Sequence, residues 1–142
     1  MARLDATGAR ERFAAARVAR LATISPDGAP RIVPIVFALD GDTIYMTVDA
    51  KPKRTTELAR LANVAAEPRV SVLVDHYDED WDALWWARAD GRGRVLQPGE
   101  DEARRAVARL AARYPQQRGA GAVLAIDVAR WTGWAARPGE DA

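Results

Sequence analysis

Two periodicities share this chain. Short stretches with apolar residues at every second position predict strands, and longer ones with apolar residues three or four apart predict helices. Residues 7–16 (TGARERFAAA) favour a helix with Thr7 as its cap and Phe13 as its apolar anchor. Val18, Leu21 and Ile24 then mark a strand running to Ser25, where Pro26-Asp27-Gly28 supplies turn chemistry. A second apolar run, RIVPIVFAL at 31–39, ends at another turn signal, Asp40-Gly41-Asp42. Residues 43–48 (TIYMTV) alternate as a third strand, with Ile44, Met46 and Val48 on one side. A helix over 54–66 carries Leu58, Leu61, Ala62 and Ala65 on one stripe and stops at Glu67-Pro68. The strand at 69–75 (RVSVLVD) has the clearest alternation in the chain, and a fifth, at 84–96, is interrupted at Asp90-Gly91. A third helix follows over 99–114. Glu100, Asp101 and Glu102 suit its positive end, and Ala103, Val107, Leu110 and Tyr114 form its buried stripe. Residues 122–134 make a sixth strand, and 137–142 are tail.

The order helix, three meandering strands, helix, two strands, helix, strand is not an alternating βαβ series. It predicts a mainly β, α+β fold: a six-stranded antiparallel barrel with helices set outside it. A length of 142 residues fits one domain, 1–142.

Composition narrows the chemistry. Apolar residues make up 49% of the chain, but 30 of them are alanine, so the core rests on Val, Leu, Ile and five tryptophans. With 21 basic and 20 acidic side chains the net charge is +1, which removes the electrostatic footprint of a general nucleic-acid binder. The absence of cysteine excludes disulfides, thiolate catalysis and zinc sites of the cysteine type. No run of about 18 apolar residues is present to span a membrane. The first residues, with Arg3, Asp5, Arg10, Glu11 and Arg12, lack the apolar region of a secretion signal, so the chain reads as a soluble cytoplasmic protein. The one histidine, His76, and the two serines, Ser25 and Ser71, stand outside any nucleophile-elbow sequence. A multi-histidine metal centre is ruled out. An enzyme of this composition takes its hard step from a bound organic cofactor, and no side chain is assigned a catalytic or metal-ligating role.

Four features carry candidate chemistry. Pro34 interrupts the apolar run at 31–39; it marks an edge strand, a bulge, or a place where the irregular backbone faces a ligand. The segment TVDAKPKRTT at 47–56 holds both lysines of the chain, Lys51 and Lys53, beside Arg54. Three cations there adjoin the positive pole of a helix, either as a site for a phosphate or carboxylate tail or as a solvated charged loop. The segment DHYDEDWD at 75–82 places five acids around His76. It lacks the spacing of a hard-cation loop, and reads as a solvated acidic loop pinned to the body by Trp81. Trp85 and Trp86 are adjacent in a strand and point to opposite faces, as do Trp131 and Trp134; these pairs fit a dimer interface or burial under the helices.

Residues 17–75 also resemble a known family. The LATIS-PDG-P hairpin, the strand ending in TV before a Lys/Arg loop and the NV..EPRVSVLV exit from a helix resemble the split β-barrel superfamily of pyridoxamine 5′-phosphate oxidase-like flavin and deazaflavin proteins. The continuation DHYDEDWDALWWARADGRGRVL resembles its actinobacterial F420-dependent oxidoreductase branch, over a core of about residues 10–135. The resemblance implies a homodimer with two cofactor sites at the subunit interface, holding F420 or, alternatively, FMN. It implies that Pro34, Ile35 and Val36 flank the ring system and that Thr47 and Val48 contact it. Lys51, Lys53 and Arg54 hold the anionic tail, and Trp85 or Trp86 of the other subunit closes the site. The implied activity is hydride transfer from reduced F420 to a planar, electron-poor small molecule, with an FMN-dependent oxidase or reductase, or a non-enzymatic deazaflavin carrier, as the alternatives. No nucleic-acid or membrane partner is implied.

Overall fold

Turns built on glycine carry the chain back and forth through one antiparallel sheet; Gly41, at φ +62°, makes one of them. The structure, a computed structural model, describes residues 2–47, 54–116 and 121–137, with the side chains of the second helix described from Ala59 onward. In chain order the elements are β1 (Ala2–Leu4), α1 (Ala6–Ala15), β2 (Ala19–Ile24), β3 (Pro30–Ile35), β4 (Ala38–Asp40), β5 (Thr43–Thr47), α2 (Arg54–Ala66), β6 (Arg69–His76), β7 (Trp85–Leu96), α3 (Asp101–Arg113) and β8 (Val123–Ala135). A single 3-10 turn, Trp81–Ala83, precedes β7.

The strand order is β3-β2-β6-β7-β8-β5-β4, with β1 added to β8, and every pairing is antiparallel. β3 and β4 therefore lie at opposite edges of the sheet, yet only Val36 and Phe37 separate them in sequence. Three Cα steps reach at most about 11 Å, so the two edges must curl towards each other. They meet without pairing. The result is a split, unclosed barrel, as expected, built among the described residues from eight strands rather than six.

The two extra strands have plain causes. The run at 31–39 divides because Val36–Phe37 hands the chain from one sheet edge to the other, and β1, three residues long, is too short to show a period. The cap of α1 is Asp5, not Thr7: its Oδ1 accepts from the Gly8 N–H at 2.7 Å, which leaves Thr7 inside the first turn. The interruption at Asp90-Gly91 is a register shift in which Asp90 faces Arg130 and Gly91 faces Val128, so the extra residue is Ala129 of β8.

The inner face of the sheet buries Leu21, Ile44, Val72, Val74, Leu124 and Ile126, with Phe13 of α1 and Val64 of α2 packed into the same cluster. α2 meets the barrel through Leu61 and Val64 and turns Ala62 and Ala65 to solvent, which corrects the expected stripe. Gly93 sets that face by leaving room for Val64. On the outer face, α3 lays Ala103, Ala106 and Leu110 over Tyr45, Leu96, Val123 and Ala125. The rest of the outer face, across β3, β2, β6, β7 and the end of β8, enters neither buried cluster and carries Ile32 at 70% exposure. Among the described residues, no helix is long and apolar enough to cross a membrane.

Candidate functional site

The crossover makes a corner. Pro34 sits on the edge strand β3 opposite Arg20, exposed, where its missing N–H costs no ladder bond beyond the edge. Ile35 is buried in the inner cluster, and Val36 packs against the cluster under α3. Their side chains are thus spent on opposite layers, and what the corner presents outward is Pro34 and strand-edge backbone. Thr47 ends β5, half-buried, opposite Val123. β4 and β5 pair Ala38 with Tyr45, which lie two residues after Val36 and two before Thr47. The chain thus runs from Pro34, Ile35 and Val36 into β4, whose neighbour β5 ends at Thr47. Val48, Lys51 and Lys53 lie outside the described residues; Arg54 opens α2, with its side chain outside them too.

Beside β3, facing α2, is a recess of about 160 Å³ lined by Thr23, Arg31, Val33, Arg60 and Asn63. Sequence reasoning passed over Arg31, Arg60 and Asn63. Arg60 and Asn63 stand one helical turn apart, a spacing that signals a shared face, but nothing local says that this face meets β3.

A charged network braces α3 against β5, β7 and β8. The Tyr45 hydroxyl donates to Glu102 Oε2 at 2.7 Å, and Arg94 donates to both Glu102 oxygens and to Asp127. The hydrogen bonds from Arg94, and then that from Tyr45, pull the Glu102 carboxyl down to about 2; burial, then the bond to Glu102, pushes Tyr45 up to about 12. The network pins α3 to β5 two residues before Thr47.

The tryptophans collect at the other end of β7. Trp85 faces inward against the core, with the Arg12 guanidinium 5.4 Å from its ring and His76 stacked on it at 6.3 Å and 22°. Trp86 faces outward opposite Trp134, under the Arg88 guanidinium at 5.7 Å. Trp131 points inward, edge-on to Phe13 at 5.2 Å, its indole N–H donating to Asp42 Oδ1. Both pairs divide between the two faces as the alternation requires. Trp81, expected to pin the acidic segment, is instead 71% exposed. The segment holds itself: Asp78 Oδ1 accepts from the Asp80 N–H, Asp80 Oδ1 from the Asp82 N–H, and Arg137 donates to Asp82.

Pro34, Arg20, Leu73 and Arg88 are successive cross-strand partners on the outer face. Three strand spacings, about 14 Å, thus separate Pro34 from a position two residues beyond Trp86. One chain does not bring Trp85 or Trp86 to the corner.

Compared with known proteins, residues 7–135 match the family model described as Pyridoxamine 5'-phosphate oxidase. Among solved structures the chain is similar to a conserved hypothetical protein from Mycobacterium tuberculosis, with a TM-score of 0.73 and 24% identity over 90% of this chain and 82% of that one. It is similar to an FAD-binding protein from Mesorhizobium loti, with a TM-score of 0.71 and 23% identity over 93% and 95%. It is also similar to a heme-binding protein from Mycobacterium smegmatis, with a TM-score of 0.68 and 23% identity over 91% of this chain and 53% of the other. No curated protein matches the sequence.

Proposed function

As the chain belongs to the pyridoxamine 5′-phosphate oxidase family, we propose that it is an F420-dependent oxidoreductase that serves hydride transfer to a planar, electron-poor small molecule. The observation that supports this reading is the Val36–Phe37 crossover, which carries the chain from the exposed edge of β3 at Pro34 to β4, the neighbour of β5, whose last residue is Thr47. Immediately after Thr47 the sequence runs through Lys51 and Lys53 to Arg54, the first residue of α2. An unpaired strand edge offers backbone hydrogen-bonding groups to a heteroaromatic ring system, and several spaced cations suit a tail with a phosphodiester and carboxylates. The residues at the corner fit that group.

The bound deazaflavin supplies the hydride. The chain supplies orientation through Pro34, Thr47 and the β3 edge, charge through Lys51, Lys53 and Arg54, and a surface from which a second subunit excludes water. That second subunit is part of the proposal: a homodimer packed through the open outer face brings Trp85 or Trp86 of one copy towards the corner of the other. A second reading, a flavin in place of the deazaflavin, is favoured by the likeness to the FAD-binding protein from Mesorhizobium loti, which spans 95% of that chain.

Titration with F420 and with FMN, followed by ligand fluorescence polarisation, decides between them. Tight F420 binding is expected, weakened by about 2–5 kcal/mol in the Lys51→Ala/Lys53→Ala double variant, since each charge-assisted contact contributes about 1.5–3. Tight FMN binding with none for F420 overturns the deazaflavin reading. F420 binding without reduction of any planar acceptor makes the chain a carrier.

A further inference from the structure

A recess of about 460 Å³ opens between α1, α3 and β4 over a floor of Ala14, Ala38 and Ala112. That volume lies in the range of small-molecule sites, about 300–1,000 Å³. None of its lining residues belongs to the open outer face through which the second subunit packs.

Leu39 gives this recess a backbone edge. Asp40 and Thr43 flank a two-residue turn, so they pair by exchanging both ladder hydrogen bonds, and Ala38 and Tyr45, two positions along, do the same. Leu39, between them, turns its N–H and C=O away from β5. β4 is the last strand on that side, and among the described residues neither group takes another partner.

Every charged residue lining the recess is an arginine: Arg10 of α1, and Arg109 and Arg113 one turn apart on α3. Carboxylates answer two of them, Asp42 at 3.4 Å from Arg10 and Asp40 at 3.3 Å from Arg109. Arg113 has only carbonyl partners, and Arg17, which donates to the Arg113 carbonyl, brings a fourth guanidinium. Four cations thus stand against two carboxylates beside an unpaired strand edge.

We propose that this recess binds a small N-acyl amino acid, a carboxylate one carbon from an amide N–H on an apolar acyl group. The amide N–H donates to the Leu39 carbonyl and one carboxylate oxygen accepts from the Leu39 N–H, the bridge by which a strand adds to a sheet edge. The second oxygen meets the guanidiniums, and the acyl group covers the alanine floor. The site does not depend on what occupies the corner at Pro34 and Thr47.

N-benzoylglycine and its uncharged amide, N-benzoylglycinamide, test it on the full chain without added cofactor, with backbone amide resonances as the readout. N-benzoylglycine is expected to bind at a dissociation constant at least tenfold below that of the amide and to move the Leu39 N–H resonance downfield. Arg109→Gln is expected to weaken it fivefold or more. Ala112→Leu, which fills the floor from an exposed helix position, should weaken it tenfold or more at an unchanged urea midpoint. Equal affinity for the two probes, a Leu39 resonance that stays in place, or full affinity in both variants overturns the proposal. The Lys51→Ala/Lys53→Ala variant should bind N-benzoylglycine as the parent does; loss of binding there moves the carboxylate to the cofactor corner and also overturns it. F420 affinity should be unchanged in Arg109→Gln and Ala112→Leu, so the two readings fail separately.

Discussion

Arg113, the last residue of α3, stacks its guanidinium 4.8 Å from the Phe37 ring and donates to the Phe37 carbonyl oxygen at 3.1 Å. The same guanidinium donates to the carbonyls of Ala14 and Ala16 at the end of α1. One planar fork thus clamps the crossover between the two sheet edges to two helix ends. Arg113→Ala is expected to lower the unfolding free energy by about 2–4 kcal/mol in urea, from the loss of charge-assisted bonds to part-buried acceptors. Arg113→Lys recovers less than half, because an ammonium does not reproduce the fork. A loss below about 0.5 kcal/mol for the alanine variant would show the clamp to be idle.

Gly93 and Val64 touch with no room to spare. A Cβ built on Gly93 falls 2.5 Å from Val64 Cγ1, and Val64 is 1% exposed. Gly93→Ala is expected to destabilise by about 1–3 kcal/mol through overpacking. Combining it with Val64→Ala opens the space, so the double variant should be more stable than the sum of the single losses predicts, by about 0.5 kcal/mol or more. Strict additivity in thermal or urea melts would separate α2 from Gly93.

The Glu102 network makes stability depend on pH at both extremes. Glu102 titrates near its usual 4.5 in the unfolded chain and at about 2 in the fold, so its contribution is whole above pH 5 and drains as the pH falls towards 2. Tyr45 runs the other way: raised from 10 to about 12, it contributes fully below pH 10 and loses that contribution between 10 and 12. Glu102→Gln should cost about 1 kcal/mol at neutral pH, the scale of a part-exposed network, and flatten the acid limb. Tyr45→Phe should flatten the alkaline limb. Urea midpoints measured from pH 2 to 12 give both slopes; an acid limb unchanged in Glu102→Gln contradicts the assignment.

Ile32, at 70% exposure in the middle of the edge strand β3, is the most exposed aliphatic residue of the open outer face. Replacing it with glutamate should leave the isolated fold within about 0.5 kcal/mol of the parent, as surface changes do. In sedimentation equilibrium the parent should run as a dimer and Ile32→Glu as a monomer, with F420 affinity reduced at least tenfold. Dimers that survive the change place the subunit contact on another surface.

Much of this was legible before the structure. The bounds 54–66 of α2 follow from its helical composition and the Glu67-Pro68 stop, and the structure keeps both ends. Asp90-Gly91 advertised a break in β7, and the register shifts there. The crossover was not legible, because Val36 and Phe37 are as apolar as their neighbours. Periodicity says which residues are extended, not which edge of a sheet they join. Trp81 misled for a related reason: a tryptophan in an acidic run suggests an anchor, but the aspartates supply the loop's own hydrogen bonds and leave the ring outside. At the corner, Pro34 announced its edge strand, while Arg31, Arg60 and Asn63 meet only after the sheet has curled and α2 has docked on it.

β8 pairs with β1, β5 and β7, so the last strand in the sequence is the partner of the first, a middle and a late one. On the ribosome, where the N-terminal part emerges first, β1 waits without a strand partner, and β5 with only β4 beside it, until Val123–Ala135 has left the exit tunnel. The barrel therefore closes these seams only after its other strands have emerged. Its exposed strands need protection for that whole interval, and shortening the chain from its C-terminal side removes the seam that three other strands depend on.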